Sequence, residues 1–153
     1  MADTFTQIPI HAVFAVARRE CVIAPSWRDR LHEYIAGVLR NETKKPLTVG
    51  GWHDHVHILF EMKTTTSLAA VMDVVKANSS RWVNEQGLVR GRFNWQNGYG
   101  AFAHSRSQVV RVAEYIKNQE EHHRKRTFRE EYLTFLTAND VSFEEKYLFE
   151  FFD

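Results

Sequence analysis

The stretch Gly50-Gly51-Trp52-His53-Asp54-His55-Val56-His57-Ile58-Leu59-Phe60 sets a His-hydrophobic-His triplet at the head of an apolar run. In an extended chain alternate side chains point to the same face. His55 and His57 therefore project together, while Val56, Ile58 and Phe60 share the other face and turn into a core. Two imidazoles side by side on a stiff strand are half of a metal site. A solvated strand that happens to carry histidines gives the same pattern, because a two-His motif recurs by chance.

Outward from that stretch, residues 47–52 and His55–Glu61 read as two strands with Asp54 between them, joined as a hairpin or a sharply bent ribbon. Gly50-Gly51 loosens or bulges the first of the pair. Upstream, residues 8–17 are rich in Val, Ile and Phe and read as a central strand, with Pro9 near its start, where a missing N–H is tolerated. Between them, Pro25-Ser26 opens a helix with Ser26 as its N-cap. Its apolar face is Trp27, Leu31, Tyr34, Ile35, Val38 and Leu39. Downstream, the capping residues 64–67 open a long helix over 68–85, which Gly87 ends. An aromatic, glycine-containing segment at 90–100 leads to a short strand at 101–105. Ser107 caps a helix at 108–122, and a basic run, His122-His123-Arg124-Lys125-Arg126, follows it. A helix at 128–136 and an acidic, aromatic tail close the chain. The order strand, helix, two strands, helix, strand predicts an α+β fold of the ferredoxin-like split type. Its sheet is antiparallel and extra helices are added at the C-terminal side. No linker or repeat interrupts 1–153, which therefore reads as one domain.

With 153 residues, 44% hydrophobic and 13% aromatic, the composition is that of a packed globular chain rather than a disordered one. The single cysteine, Cys21, excludes an internal disulfide and fits a reducing cytoplasm. The apolar run at 8–17 is too short for a membrane span and lacks a basic leader. The net charge of +1 conceals an asymmetry: residues 76–129 hold 11 Lys/Arg against 4 Asp/Glu, and the rest hold 9 against 15. The basic half suits a phosphate backbone, and equally a solvated helix face.

Tyr115 and Gln119 are four apart in the predicted helix at 108–122 and share one face. A tyrosine hydroxyl serves as a covalent nucleophile, and a glutamine oxygen completes a metal shell. Two histidines and that oxygen, with water and a phosphate oxygen, form a mixed set suited to Mn²⁺ and acceptable to Mg²⁺. Zinc, which favours more His or Cys ligands, ranks lower. Tyrosine's ordinary pKa of about 10 means that it needs activation, for which metal proximity and Lys117 are the candidates. The bland reading of Tyr115 is a ring packed on the sheet. His53 reads as a bystander, a phosphate contact or a third ligand. His122 and His123 read as a solvated helix end or a DNA contact. Phe93, Trp95, Tyr99 and Phe102 read as core under the last strand, or as a platform for stacking bases. Arg81, Arg92, Arg106, Arg111 and Arg124 are candidate phosphate contacts.

The chain resembles the IS200/IS605-type single-tyrosine (HUH, Y1) transposases. The resemblance rests on residues 50–60, on Asn78-Ser79-Ser80-Arg81-Trp82, on the segment at 93–102 and on residues 115–123, all in family order. It implies a metal-dependent enzyme that cuts and rejoins single-stranded DNA at insertion-element ends. Tyr115 would form a 5′-phosphotyrosine and release a 3′-OH, with His55, His57 and Gln119 on the metal. It also implies a homodimer that recognises subterminal hairpins, with the tyrosine helix of one chain serving the histidines of the other. A domesticated repeat-associated nuclease and a non-catalytic nucleic-acid-binding module are the rival expectations.

Overall fold

The computed structural model describes residues 3–19 and 22–152, so Cys21 and the first two residues of the polar lead-in lie outside it. Strand β1 (Pro9–Ala15) is followed by helix α1 (Pro25–Glu42). A hairpin comes next, β2 (Lys45–Gly51) and β3 (His55–Glu61). Helix α2 (Leu68–Gln86) and strand β4 (Gly100–Ala103) complete the split core. Three helices are added after it: α3 (Val109–Lys117), α4 (Gln119–His123) and α5 (Phe128–Ala138). The four strands run antiparallel in the order β2-β3-β1-β4, the ferredoxin-like order, with β1 and β3 inside.

Strand alternation divides the side chains between two faces. Ala12, Phe14, Val56, Ile58 and Phe60 pack with Leu31, Ile35, Val71 and Val75 of α1 and α2. The opposite face carries Val13, Ala15 and Leu59 beside His55 and His57, and the added helices cover it. Every residue of β3 is consequently buried. The solvated strand face allowed by the sequence is therefore absent: the histidine side is a second interior.

Two glycines admit the covering helices. A Cβ on Gly50 would stand 2.4 Å from the carbonyl oxygen of Ile116, so α3 lies directly on the β2 backbone. A Cβ on Gly100 would stand 2.6 Å from the Tyr132 hydroxyl, which seats α5 over β4. The irregularity expected at Gly50-Gly51 falls earlier, between Pro46 and Thr48.

Several boundaries differ from expectation. Ala24, not Ser26, is the N-cap of α1, because Pro25 takes the first helical turn, where its missing N–H leaves nothing unsatisfied. Ser105, not Ser107, caps the turn before α3, in a reciprocal box with Gln108. The helix expected over 108–122 breaks at Asn118, a residue whose side chain competes with helical backbone bonding. Tyr115 thus lies in the last turn of α3 while Gln119 opens α4.

Phe93, Trp95 and Phe102 are buried, and Tyr99 is packed against the core. These rings are core and do not form a base-stacking platform. Lys76 fastens their segment by donating to the carbonyls of Gln96 and Gly98 at 2.7 and 2.8 Å. The tail is tied down as well: Gln96 and Glu150 exchange two hydrogen bonds, and Phe149 joins the cluster of Phe128, Tyr132 and Leu136. Among the described residues no helix is long and apolar enough to cross a membrane.

Candidate active site

Glu131, on α5, stands at the centre of the second interior, fully buried. Its Oε1 lies 3.1 Å from His57 Nε2, 3.2 Å from His55 Nε2 and 3.4 Å from His123 Nε2. Its Oε2 accepts from the Tyr115 hydroxyl and, at 2.9 Å, from the Gln119 amide. Gln119 Oε1 in turn lies 2.8 Å from His55 Nε2 and 3.0 Å from His123 Nε2. The four residues singled out in the sequence, His55, His57, Tyr115 and Gln119, therefore meet around a carboxylate that the sequence reading missed. All of them belong to one chain. The tyrosine of this chain reaches its own histidines, whereas the family resemblance implied a shared site.

Each histidine is held from behind. His55 Nδ1 lies 2.7 Å from Asp54, and Phe128 stacks flat on its ring at 4.0 Å. His57 Nδ1 lies 2.8 Å from His11 Nε2, so a histidine on β1 orients one on β3. Such outer partners fix ring orientation and tautomer in metal sites. Tyr115 stacks on His122 at 4.2 Å, and Arg126 donates to its hydroxyl at 3.3 Å.

The electrostatics follow from burial and from the charges packed together there. Burial alone would lower His55, but hydrogen bonds to Asp54 and Glu131 outweigh it and raise its pKa to about 9. Burial keeps His57 and His11 below the usual histidine value. Glu131 is held far below the carboxylate range: burial opposes this, and the charge of His57 and bonds from the histidines overcome it. Burial, then the Glu131 charge, pushes Tyr115 well above an ordinary phenol.

The donor set fits a divalent ion. His55, His57 and Glu131 offer ligand atoms within 4.8 Å of one another. Ligands at about 2.1 Å from an octahedral ion stand about 3.0 Å from their neighbours, close to the 2.8–3.2 Å separations of Gln119, His55, His57 and Glu131 here. An ion there would replace protons as the positive charge that this cluster of acceptors requires.

The remaining candidates are dispersed. Arg111 borders a cleft of about 190 Å³ beside Tyr115 and His11. Arg124 borders another of about 260 Å³ with Trp52, His53, Lys125 and Arg126. Arg106 pairs with Glu61 at 3.6 Å. Arg81 and Arg92 line a groove along α2, across the sheet from the histidines. His53 is half-buried against Trp52 and lines the cleft that Arg124 borders. His123, read as part of a solvated helix end, has a side chain only 3% exposed, because it packs between Trp52 and His55 and reaches Glu131.

The family profile described as "Transposase IS200 like" matches residues 4–119. None of the curated proteins matches the chain. Among solved structures, one is a Deinococcus radiodurans R1 protein described as a candidate transposase. It is 18% identical, with a TM-score of 0.61, over 78% of this chain and 95% of that one. Another is a REP-associated tyrosine transposase bound to a REP hairpin. It is 12% identical, with a TM-score of 0.57, over 80% of this chain and 73% of that one. Both likenesses are of fold. The motif order, the split antiparallel sheet and the profile spanning most of the sequence lead to one assignment: this chain belongs to the IS200-like transposase family.

Proposed function

We propose that the protein cleaves and rejoins single-stranded DNA beside a hairpin, through a covalent 5′-phosphotyrosine on Tyr115. The reading includes a divalent metal held by His55, His57, Gln119 and Glu131. The observation that carries it is the convergence of a tyrosine hydroxyl, two imidazoles and a glutamine on one buried carboxylate. In the attack the Tyr115 oxygen bonds to phosphorus and its proton is lost to solvent, while Glu131 Oε2, too weak a base to keep that proton, accepts the hydroxyl hydrogen bond and aims the oxygen. The bond to the 3′ oxygen breaks, and that oxygen leaves as an alcohol after taking up a proton from solvent. Because the phosphoester bond is conserved, the same 3′-OH can later attack the joint and release Tyr115. Arg126, beside the phenolic oxygen, offsets negative charge that gathers there. When bound, the metal polarises the scissile phosphate and stabilises charge on it.

The single-stranded hairpin substrate is supported by the fold shared with a transposase bound to a REP hairpin. The basic cleft of Arg124, Lys125 and Arg126 beside the cluster gives a strand a place to approach. In the test, labelled hairpin DNA with a single-stranded flank is incubated with protein and Mn²⁺ and resolved on a denaturing gel. Wild type should give a covalent adduct. Tyr115→Phe should give none while binding the hairpin nearly as well. An adduct that persists in Tyr115→Phe removes Tyr115 from the mechanism.

A further inference from the structure

His123 closes α4, and its Nδ1 lies 2.9 Å from the carbonyl oxygen of Arg126. A carbonyl only accepts, so Nδ1 carries a hydrogen, and Nε2 is the ring nitrogen left to face the cluster. That atom points at two more acceptors, Gln119 Oε1 at 3.0 Å and Glu131 Oε1 at 3.4 Å. The Gln119 oxygen is fixed in this direction because its amide nitrogen donates to Glu131. His55 repeats the pattern, with Nδ1 on a carboxylate and Nε2 on the same two oxygens. Acceptors that face acceptors in a buried site are stable only with positive charge among them. A proton on one ring satisfies part of the cluster. One ion satisfies the lone pairs of His55, His57 and Glu131, whose ligand atoms lie within 4.8 Å of one another, and His123 Nε2 borders that group through the Gln119 and Glu131 oxygens.

We propose that His123 Nε2 is a third imidazole ligand, which makes this a site for a first-row transition ion such as Mn²⁺, Co²⁺ or Zn²⁺ in preference to Mg²⁺. The inference rests on the metal-dependent reading above and deepens it. Magnesium holds its water and favours carboxylate and phosphate oxygens, whereas imidazole nitrogen favours the later divalent ions. Two histidines and a glutamine leave magnesium acceptable, and the Glu131 carboxylate does not change that; it is the third histidine that moves the set away from it. His123 and Glu131 both lie beyond residues 4–119, where the family profile ends, so this preference belongs to the chain's own C-terminal helices.

Calorimetric titration of the full chain, freed of metal, with Mn²⁺ and then with Mg²⁺ tests the inference. Wild type should bind Mn²⁺ at least about 100-fold more tightly than Mg²⁺. His123→Asn leaves an amide able to reach the Arg126 carbonyl but nothing at the Nε2 position. It should lose about 100-fold or more in Mn²⁺ affinity, at least as much as loss of an outer-shell partner would remove. Its Mg²⁺ affinity should barely change. His53→Asn, in the neighbouring cleft, should bind like wild type. Melting in EDTA checks that each variant folds, and His123→Gln serves if the Asn variant does not. If wild type shows no preference for Mn²⁺, or the folded His123 variant binds it unchanged, the inference fails while the proposed function stands. If wild type binds neither ion, both fall.

Discussion

Raising the pH of the metal-free protein from about 6.5 to about 9 should weaken its fold, and His55 sets the size of the loss. The folded protein binds the His55 proton more tightly than the unfolded chain does, with a pKa of about 9 against 6.5. Below 6.5 both states are protonated, and the contribution of the Asp54–His55–Glu131 arrangement is fully present. Between the two values only the folded state keeps the proton, so stability falls as pH rises and is lost through pH 9. At about 1.4 kcal/mol per unit the loss is about 3 kcal/mol. Burial holds His57, His11 and His53 down, so they act on the other side: they cost stability as pH drops below 6.5. Tyr115, pushed up, weakens the fold only above the ordinary phenol range. Among the described groups with a resolved shift His55 is the histidine raised across this window, while Lys76, lowered by burial, acts in the opposite sense from its alkaline side. Urea unfolding in EDTA, read at pH steps across it, measures the loss. Asp54→Asn removes one of the two raising partners and should shrink it to on the order of 1–2 kcal/mol. Excess Mn²⁺ should reverse the slope, because metal displaces the proton and binds better as pH rises. A metal-free stability that stays level from pH 6.5 to 9 would show that the cluster holds no proton, and the charge argument would fail.

Three further outcomes test the arrangement around that cluster. Glu131→Gln removes the charged carboxylate that aims the Tyr115 hydroxyl and joins the histidine cluster, and should slow single-turnover cleavage by about 100-fold or more, with hairpin affinity nearly kept; cleavage at the wild-type rate would exclude the role. Gly50→Ala drives a methyl group into the Ile116 carbonyl and should cost about 1–3 kcal/mol. Because α3 must shift, its adduct rate should fall far more than its binding, and equal losses in both would refute the link to Tyr115. Mixing Tyr115→Phe with His57→Ala protein should restore no activity, since one chain closes the site by itself. Recovered activity, with subunit exchange demonstrated, would establish the shared site that the family resemblance implies.

The split core was legible because its signals are local. A two-residue period set β3, with Val56, Ile58 and Phe60 on one side and the histidines on the other, and the structure keeps that division. The four-residue spacing of Tyr115 and Gln119 survived even a break at Asn118, since the Asn118 N–H still bonds to the Tyr115 carbonyl and the His122 N–H to the Asn118 carbonyl, which keeps helical turns on both sides of it. What one strand's pattern does not encode is its cover. A face alternating His, His and Leu is compatible with water or with a second layer. Only the packing of α3 at Gly50 and α5 at Gly100 decides between them.

Glu131 was the harder residue, although a signal for it existed. In α5, Phe128, Tyr132, Phe135 and Leu136 recur at helical spacing, and Glu131 falls inside that stripe rather than opposite it. An ionised carboxylate in an apolar stripe is expensive to bury without partners, so it announces positive charge somewhere on the facing surface. Its neighbours in the sequence with that capacity are Arg129 and the run before α5, of which His123 does reach it. The other partners came from further away, through chain separations of 74 residues for His57 and 12 for Gln119. The same reasoning can be run forwards. A glutamate on the apolar stripe of a helix that follows the tyrosine of such a chain, together with a His-hydrophobic-His strand, predicts a carboxylate on the metal cluster before any coordinates exist.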